Sequence, residues 1–212
     1  MTNSFFASII GLESQLISFV KSTKDLWEIF IKIIFCILIA DFISGFFHWL
    51  EDTYGEEDWP IVGSLIIKPN VIHHLNVRHF LKNSWFTSAR VLLLIGLIVI
   101  YALYLLNSLN WMVFLTILIG INANEIHKWA HRSESENGKV ITALQKLTLI
   151  QTPHHHCKHH INKKDTHYCI ITNYLNVVLD RLKVWRIIEI MIYIITGNKP
   201  RDDSEKSLKD YI

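Results

Sequence analysis

The chain has 212 residues, of which 50% are hydrophobic, 12% aromatic and only 19% charged. Soluble domains carry about 25% charged residues, so the composition argues against a surface fully exposed to water. The seven Trp, seven Tyr and eleven Phe exclude intrinsic disorder, and a net charge of +2 gives no reason to expect nucleic acid as a partner. All twelve histidines lie between His48 and His167, which predicts a membrane protein with a metal site.

Apolar residues recur at helical spacing in residues 1–25, and we interpret this stretch as an N-terminal amphipathic helix. The body of the protein, residues 26–197, follows, and residues 198–212 form a polar C-terminal tail. A membrane core requires about 20 mostly apolar residues. Three stretches of the body meet or approach this length, and we predict them as spans: residues 26–50, 91–109 and 111–129.

A fourth apolar stretch, residues 184–196, is too short to span a membrane and contains Arg186 and Glu189. We predict an interfacial amphipathic helix there. The expected fold is therefore an all-α integral membrane protein with about three spans and amphipathic helices at the interface.

Three crossings would place all twelve histidines on one face of the membrane. Eighteen of the 21 basic residues follow Leu50 and fall on that same face. Because basic residues are enriched on the cytoplasmic side of membrane proteins, we expect a histidine-rich metal site at the cytoplasmic face.

The histidine spacing indicates which residues bind the metal. His127 and His131 are four residues apart, so they share one face of a helix. A structural zinc ion takes four protein ligands and a catalytic one takes three, so eight histidines suffice for two metals. Imidazole suits iron, zinc, copper and nickel, and an all-histidine site at a membrane surface favours an oxygen-activating di-iron centre. The eight candidates are His48, His73, His74, His127, His131, His156, His159 and His160.

Other polar residues are candidates to support the site. Asp41, Gly45, His48 and Asp52 form one helical stripe, and a carboxylate inside a span is costly and usually functional. Carboxylates can orient metal-bound imidazoles, and we predict this supporting role for Asp41. His155 and His167 are further candidates to support the metal ligands from outside. From position alone, we predict that a lipid phosphate meets a cationic cluster formed by Arg78, Lys82 and Arg90.

The ordered motifs ADFISGFFHWLEDTYG, IHH, NEIHKWAH, HxxHH and HYCIITNYLN resemble those of the Kua-type (CarF-like) membrane lipid desaturases, the family of plasmanylethanolamine desaturases. The resemblance extends from Ala40 to Arg201. It implies a membrane di-iron enzyme that uses O2 and electrons from a cytochrome b5- or ferredoxin-like donor. The implied reaction introduces the vinyl-ether double bond of plasmalogens into the sn-1 alkyl chain of an ether phospholipid.

The same resemblance implies that the eight histidines bind two iron ions and that Asp52 and Asn124 are catalytic. Lys163 and Lys164 replace a proline and a histidine of animal members, and His167 replaces a tyrosine. These departures bear on the lipid substrate more than on the chemistry. The segment after His74 resembles that of bacterial members, so the expected location is the bacterial inner membrane.

Four alternatives to this reaction are weighed. An acyl-phospholipid desaturase or a lipid hydroxylase could use the same di-iron centre. A membrane metal-binding or transport protein would need polar residues along a path through all spans, and the second predicted span carries no charge. A zinc hydrolase is disfavoured, because Glu125 precedes the histidine pair and no HExxH motif is present.

Overall fold

The computed structural model describes residues 2–161 and 165–211, and for residues 2–20 it describes the backbone alone. All regular structure in these ranges is helical, which confirms the all-α prediction. The α-helices are α1 (Thr2–Tyr54), α2 (Lys68–Leu75), α3 (Trp85–Leu105), α4 (Trp111–Ile121), α5 (Ala123–His131), α6 (Glu134–Lys146), α7 (Pro153–Ile161), α8 (Tyr174–Arg181) and α9 (Val184–Thr196). A π-helix at Gly63–Ile67 and 3-10 turns at His79–Lys82 and Leu208–Tyr211 complete the described helical elements.

The chain divides into two compact units, Met1–Cys36 and Ile37–Ile212. In the first unit, residues 2–36 belong to α1. Most side chains of the predicted amphipathic segment 1–25 lie outside the described residues, as do Lys163 and Lys164. Every predicted site residue belongs to the second unit.

Among the described residues, two helices are long and apolar enough to cross a membrane: Lys21–Tyr54, with a mean hydropathy of 2.3, and α3, with 2.2. Only 22% and 11% of their apolar windows are buried. The core helix of a soluble protein would bury most of such a stretch, so this exposed apolar surface suits lipid. The second predicted span ends earlier than expected, because α3 stops at Leu105 and Asn107 turns the chain with a φ of 51°.

The third predicted span, residues 111–129, is divided between α4 and α5 by a break at Asn122. The 11 residues of α4 cover about 17 Å, roughly half of the hydrocarbon core. The Asn122 side chain donates to the Leu118 carbonyl and accepts from the Trp85 indole, which stabilises the break. The prediction of three full-length spans is therefore not confirmed, since the apolar helix α4 ends at Ile121 and the residues of α5 are largely polar.

Helix α9 begins and ends where the sequence predicts it, at Val184 and Thr196. Its buried face carries Trp185 and Glu189, and the Glu189 carboxylate accepts from the Trp49 indole on α1. Its opposite face exposes large apolar side chains, namely Ile187, Ile190, Met191, Ile194 and Ile195. The helix is amphipathic, as an interfacial helix requires.

An extended segment, residues 165–173, packs directly on α1. The buried Asp41 carboxylate accepts from the Ile171 amide at 2.8 Å and from the Thr172 hydroxyl at 2.6 Å. One turn further along α1, Gly45 faces Cys169, and a Cβ at Gly45 would lie 2.5 Å from the Cys169 sulfur and 3.0 Å from its backbone. Cys169 can approach α1 this closely because Gly45 has no side chain.

The polar C-terminal tail is anchored to the loop that follows α1. The Arg201 amide donates to the Thr53 carbonyl at 2.7 Å. The Glu57 carboxylate accepts from the Lys206 ammonium at 2.8 Å and from the Tyr211 hydroxyl at 2.7 Å. The tail thus packs next to the segment that leads into α2.

The packing at Gly45 predicts the outcome of a single methyl addition. We expect Gly45→Ala to destabilise the protein by about 1–3 kcal/mol, because the methyl group overlaps Cys169 and forces the extended segment away from α1. The matched control is Gly120→Ala, where the added Cβ meets no described atom within 4 Å. A helical Gly→Ala change of this kind gains about 0.5–1 kcal/mol. Thermal unfolding of the purified protein in detergent measures both; equal melting temperatures for the two variants would contradict the packing.

Candidate metal centre

Eight histidines and one aspartate converge in two groups. The first group contains His73, His127, His131, His156 and His160. The second group contains His48, Asp52, His74 and His159. Within each group, one ligand atom per residue lies within 4.8 Å of all the others. The structure thus brings together all eight histidines singled out in the sequence.

Helical geometry explains how four helices supply two groups. Residues four apart share a helix face, so α5 directs His127 and His131 to the first group, and α1 directs His48 and Asp52 to the second. Adjacent residues on a helix point in different directions, so α2 sends His73 to one group and His74 to the other. Helix α7 also contributes to both groups, which fixes them side by side.

The ring nitrogens of the first group face one another. The His127 and His156 Nε2 atoms are 2.7 Å apart, the His131 and His127 Nε2 atoms 3.2 Å, and the His160 and His156 Nε2 atoms 3.1 Å. Imidazole nitrogens bind a metal at about 2.0–2.1 Å, which places ligands of one ion roughly 3 Å apart. The spacing in the first group is close to this value.

In the second group the Asp52 carboxylate lies among three imidazoles. Its Oδ1 is 2.9 Å from the His74 Nε2, and its Oδ2 is 3.2 Å from the His159 Nε2 and 3.5 Å from the His48 Nε2. Asp52 is thus placed as a potential metal ligand, whereas the resemblance implied a catalytic residue. Sequence reasoning missed Asn70, which donates to the Asp52 Oδ1 at 2.6 Å. Its position, four residues before His74 on α2, was the only available signal.

Two carbonyls outside the helices contact the second group. The His48 Nδ1 lies 3.1 Å from the Tyr168 carbonyl, and the His159 Nδ1 lies 2.7 Å from the Thr166 carbonyl. A carbonyl can only accept, so each Nδ1 carries the proton and each Nε2 keeps its lone pair. This is the tautomer that leaves Nε2 available for a metal.

The chemistry of these residues fits metal ions. His73 is buried, and neither of its ring nitrogens has a hydrogen-bond partner among the described residues. Burial lowers the pKa of His73, His127 and His156 well below the usual value, and neighbouring imidazoles lower it further. For His131, burial, nearby imidazoles and Arg78 lower the pKa to about 3. These rings are therefore neutral at physiological pH, as metal ligation requires.

Other predicted site residues make different contacts. The Asp41 carboxylate accepts hydrogen bonds from the Ile171 amide and the Thr172 hydroxyl. The Asn124 side chain donates to the Ser88 carbonyl at 2.9 Å and links α5 to α3. None of the contacts described for Asp41 or Asn124 reaches a histidine of either group.

His155 and His167 face each other outside the two groups, with ring centroids 4.8 Å apart. The His167 Nδ1 lies 3.1 Å from the Asp180 Oδ2. Desolvation lowers the pKa of both histidines and raises the pKa of Asp180 to about 6. His155 on α7 and His167 in the segment after it thus lie beside the two groups and do not join their ligand atoms.

The three cations predicted to meet a phosphate are exposed. Arg78 already forms an ion pair with Glu136, and its guanidinium donates to the His131 carbonyl at 3.3 Å. Lys82 ends the 3-10 turn, and Arg90 lies in the second turn of α3. Of the three, Arg78 has described contacts that tie it to the metal centre.

Comparison with known proteins supports these observations. The lipid desaturase domain profile matches residues 37–203. The chain belongs to the lipid desaturase family. This confirms the resemblance inferred from the motifs, and the matched region includes all nine residues of the two metal groups.

Three relatives show the extent of the similarity. A probable fatty acid desaturase of Acanthamoeba polyphaga mimivirus is 32% identical over 85% of this chain and 90% of its own. Plasmanylethanolamine desaturase 1 of Mus musculus is 35% identical over 80% of this chain and 66% of its own. Plasmanylethanolamine desaturase of Myxococcus xanthus is 30% identical over 92% of this chain and 72% of its own. No solved structure matches the chain.

If each group binds one iron, a change in one group should remove one iron and leave the other. We expect the wild-type protein to bind two irons, and His131→Ala or His159→Ala to bind one, because each change removes a ligand from one group alone. His154→Ala is the matched control, since His154 lies on α7 but is exposed and outside both groups. Iron per chain is measured by mass spectrometry after anaerobic loading and desalting. Two irons in His131→Ala and in His159→Ala, or a loss in the control, would contradict the assignment.

Proposed function

We propose that this protein is a membrane di-iron lipid desaturase that converts the sn-1 alkyl chain of an ether phospholipid into a vinyl ether. The observation that carries the proposal is the pair of adjacent, desolvated ligand groups within a lipid desaturase domain. Two relatives that span most of this chain are named plasmanylethanolamine desaturases. The co-substrate is O2, and an external cytochrome b5- or ferredoxin-like protein supplies two electrons.

The ligand groups define where each iron would bind. The first group offers five imidazoles, and the second offers three imidazoles and the Asp52 carboxylate. Imidazole and carboxylate both suit iron. Bound iron would supply an O2-dependent oxidation in which two neighbouring carbons each lose one hydrogen. The two hydrogens, one O2, two electrons and two protons together give two water molecules.

The protein's own contribution is to hold the ligands rigidly and to control what reaches them. The Phe80 ring packs on the first group, with its centroid 4.4 Å from the His73 ring and 5.1 Å from the His127 ring. An aromatic side chain in this place excludes water from one side of the centre and offers a hydrocarbon chain an apolar contact. Positioning of one pair of methylenes next to the metals decides which bond is oxidised.

A small cavity opens on the first group. It measures about 280 Å³, and its lining includes His131, His160, Arg132 and Cys157. Its volume lies at the lower limit of ligand pockets, roughly 300–1,000 Å³, so it suits O2 or water rather than a phospholipid. In this proposal the lipid chain reaches the centre by a separate route, along the apolar helices.

The membrane placement follows from the exposed apolar surfaces and the basic residues. The exposed faces of α3 and α9 would contact lipid. The excess of basic residues after Leu50 supports a cytoplasmic position for the metal centre, and the membrane of this proposal is the bacterial inner membrane. Arg78, Lys82 and Arg90 would then lie where a lipid phosphate can meet them.

An acyl-lipid desaturase is the second candidate, because the mimivirus relative and relatives from Arabidopsis thaliana are named as fatty acid desaturases. The two activities would share the metal centre and differ in where the oxidised carbons lie, next to the ether oxygen or within an acyl chain. A vinyl ether is cleaved by mild acid, whereas an alkene within an acyl chain is stable.

Lipid mass spectrometry of a host that makes ether lipids but no plasmalogens tests the proposal. Expression of this protein should yield species that are lighter than the alkyl-ether parent by two hydrogens and that mild acid destroys. His131→Ala should lower this product by more than about 100-fold, since loss of even an outer-shell partner costs 10–100-fold. His154→Ala should leave it unchanged. Acid-stable species lighter by two hydrogens would favour the acyl-lipid activity, and species heavier by one oxygen would show a hydroxylase.

A further inference from the structure

Two ligands of the second metal group share one piece of backbone. The Thr166 carbonyl contacts the His159 Nδ1 and the Tyr168 carbonyl contacts the His48 Nδ1, at 2.7 Å and 3.1 Å. These histidines lie on α7 and α1, so no single helix fixes their relative orientation. The segment around His167 is what connects them.

The residue between the two carbonyls has an unusual conformation. His167 has a φ of 62°, in the left-handed region that non-glycine residues seldom adopt. Such a conformation persists only where the surrounding structure holds it. Here the Asp180 carboxylate on α8 accepts from the His167 amide, at 3.2 Å from Oδ2 and 3.4 Å from Oδ1.

We propose that the left-handed backbone of His167 and the carboxylate of Asp180 are positioning elements that aim the Thr166 and Tyr168 carbonyls at two ligands of the second metal group. The carbonyls fix the protons on Nδ1 and thereby direct the His48 and His159 Nε2 atoms to the metal. The inference rests on the proposed two-metal centre. It assigns the role to the His167 backbone rather than to its imidazole.

The competing explanation is that the His167 ring acts directly. The ring contacts His155 and Asp180, so it could serve as a ligand or a proton carrier. The two explanations differ in what glycine does at this position. Glycine adopts a φ of 62° without strain but has no ring, whereas valine has neither the ring nor easy access to that conformation.

The experiment compares His167→Gly with His167→Val, and Asp180→Asn with Asp180→Ala. The Asn side-chain oxygen can still accept from the His167 amide, whereas Ala cannot. We expect the Gly and Asn variants to bind two irons like the wild type. The Val and Ala variants should retain the iron of the first group. They should release the iron of the second group into a chelator about 10–100-fold faster than the wild type, the usual effect of losing an outer-shell partner.

The control is Asp203→Ala, which removes a carboxylate of similar exposure, 10% against 15% for Asp180, from an ion pair with Arg201. It should keep both irons, which separates a specific effect from general destabilisation. If His167→Val does not fold, His167→Ala takes its place, since alanine also lacks the ring and also disfavours a positive φ.

Each result is decisive. Equal loss of iron in His167→Gly and His167→Val would assign the role to the ring and overturn the inference. Unchanged iron release in all four variants, with two irons in the wild type, would overturn the inference but leave the proposed function standing. A wild-type protein that binds no iron would overturn both.

Discussion

The contact between one face of α1 and the extended segment 165–173 determines the geometry of the second metal group. Asp41, Gly45 and His48 meet, in that order, Ile171, Cys169 and Tyr168. The seven residues from Asp41 to His48 rise about 10.5 Å along a helix, and the three residues from Ile171 back to Tyr168 span about 10 Å of extended chain. The two lengths are nearly equal, so one helix face can contact successive residues of the segment.

Among the described residues, no strand lies beside this segment to satisfy its backbone, so side chains take over that task. The Asn176 side chain accepts from the Cys169 amide and donates to its carbonyl, and Gln151 donates to the same carbonyl. Asp41 and Asp180 accept from the amides of Ile171 and His167. Buried hydrogen bonds of this kind restrict the conformations that the segment can adopt. Rigidity at this point passes directly to His48 and His159.

The first metal group depends on a different constraint, the desolvation of several imidazoles in one place. Burial and mutual repulsion keep the rings uncharged, and metal ions are the partners that convergent neutral imidazoles bind best. Helices α2 and α7 carry ligands of both groups. A shift of either helix would therefore disturb both groups, and helices hold such side chains more precisely than loops do.

The parts of this arrangement that could be predicted from sequence are those with a local period. Helical spacing identified His127 and His131 and the α1 stripe from Asp41 to Asp52, and a local apolar stretch identified the bounds of α9. Hydropathy marks the change from apolar to polar residues near Asn122. It does not reveal the break in the helix, because the Trp85 contact that stabilises the break is distant in sequence.

Backbone groups also escape sequence reasoning. The Thr166 and Tyr168 carbonyls act through conformation rather than residue type, so no side-chain pattern marks them. Asp52 illustrates a third limit. Its position one turn after His48 was evident, but only the fold shows that His74 and His159 reach its two oxygens from α2 and α7.

The central claim is that two metals bind side by side, one in each residue group. Anomalous X-ray diffraction at the iron absorption edge, from crystals of the iron-loaded protein, tests it most directly. The account predicts two anomalous peaks, one among His73, His127, His131, His156 and His160, and one among His48, Asp52, His74 and His159. A single peak, or iron bound outside these residues, would contradict it.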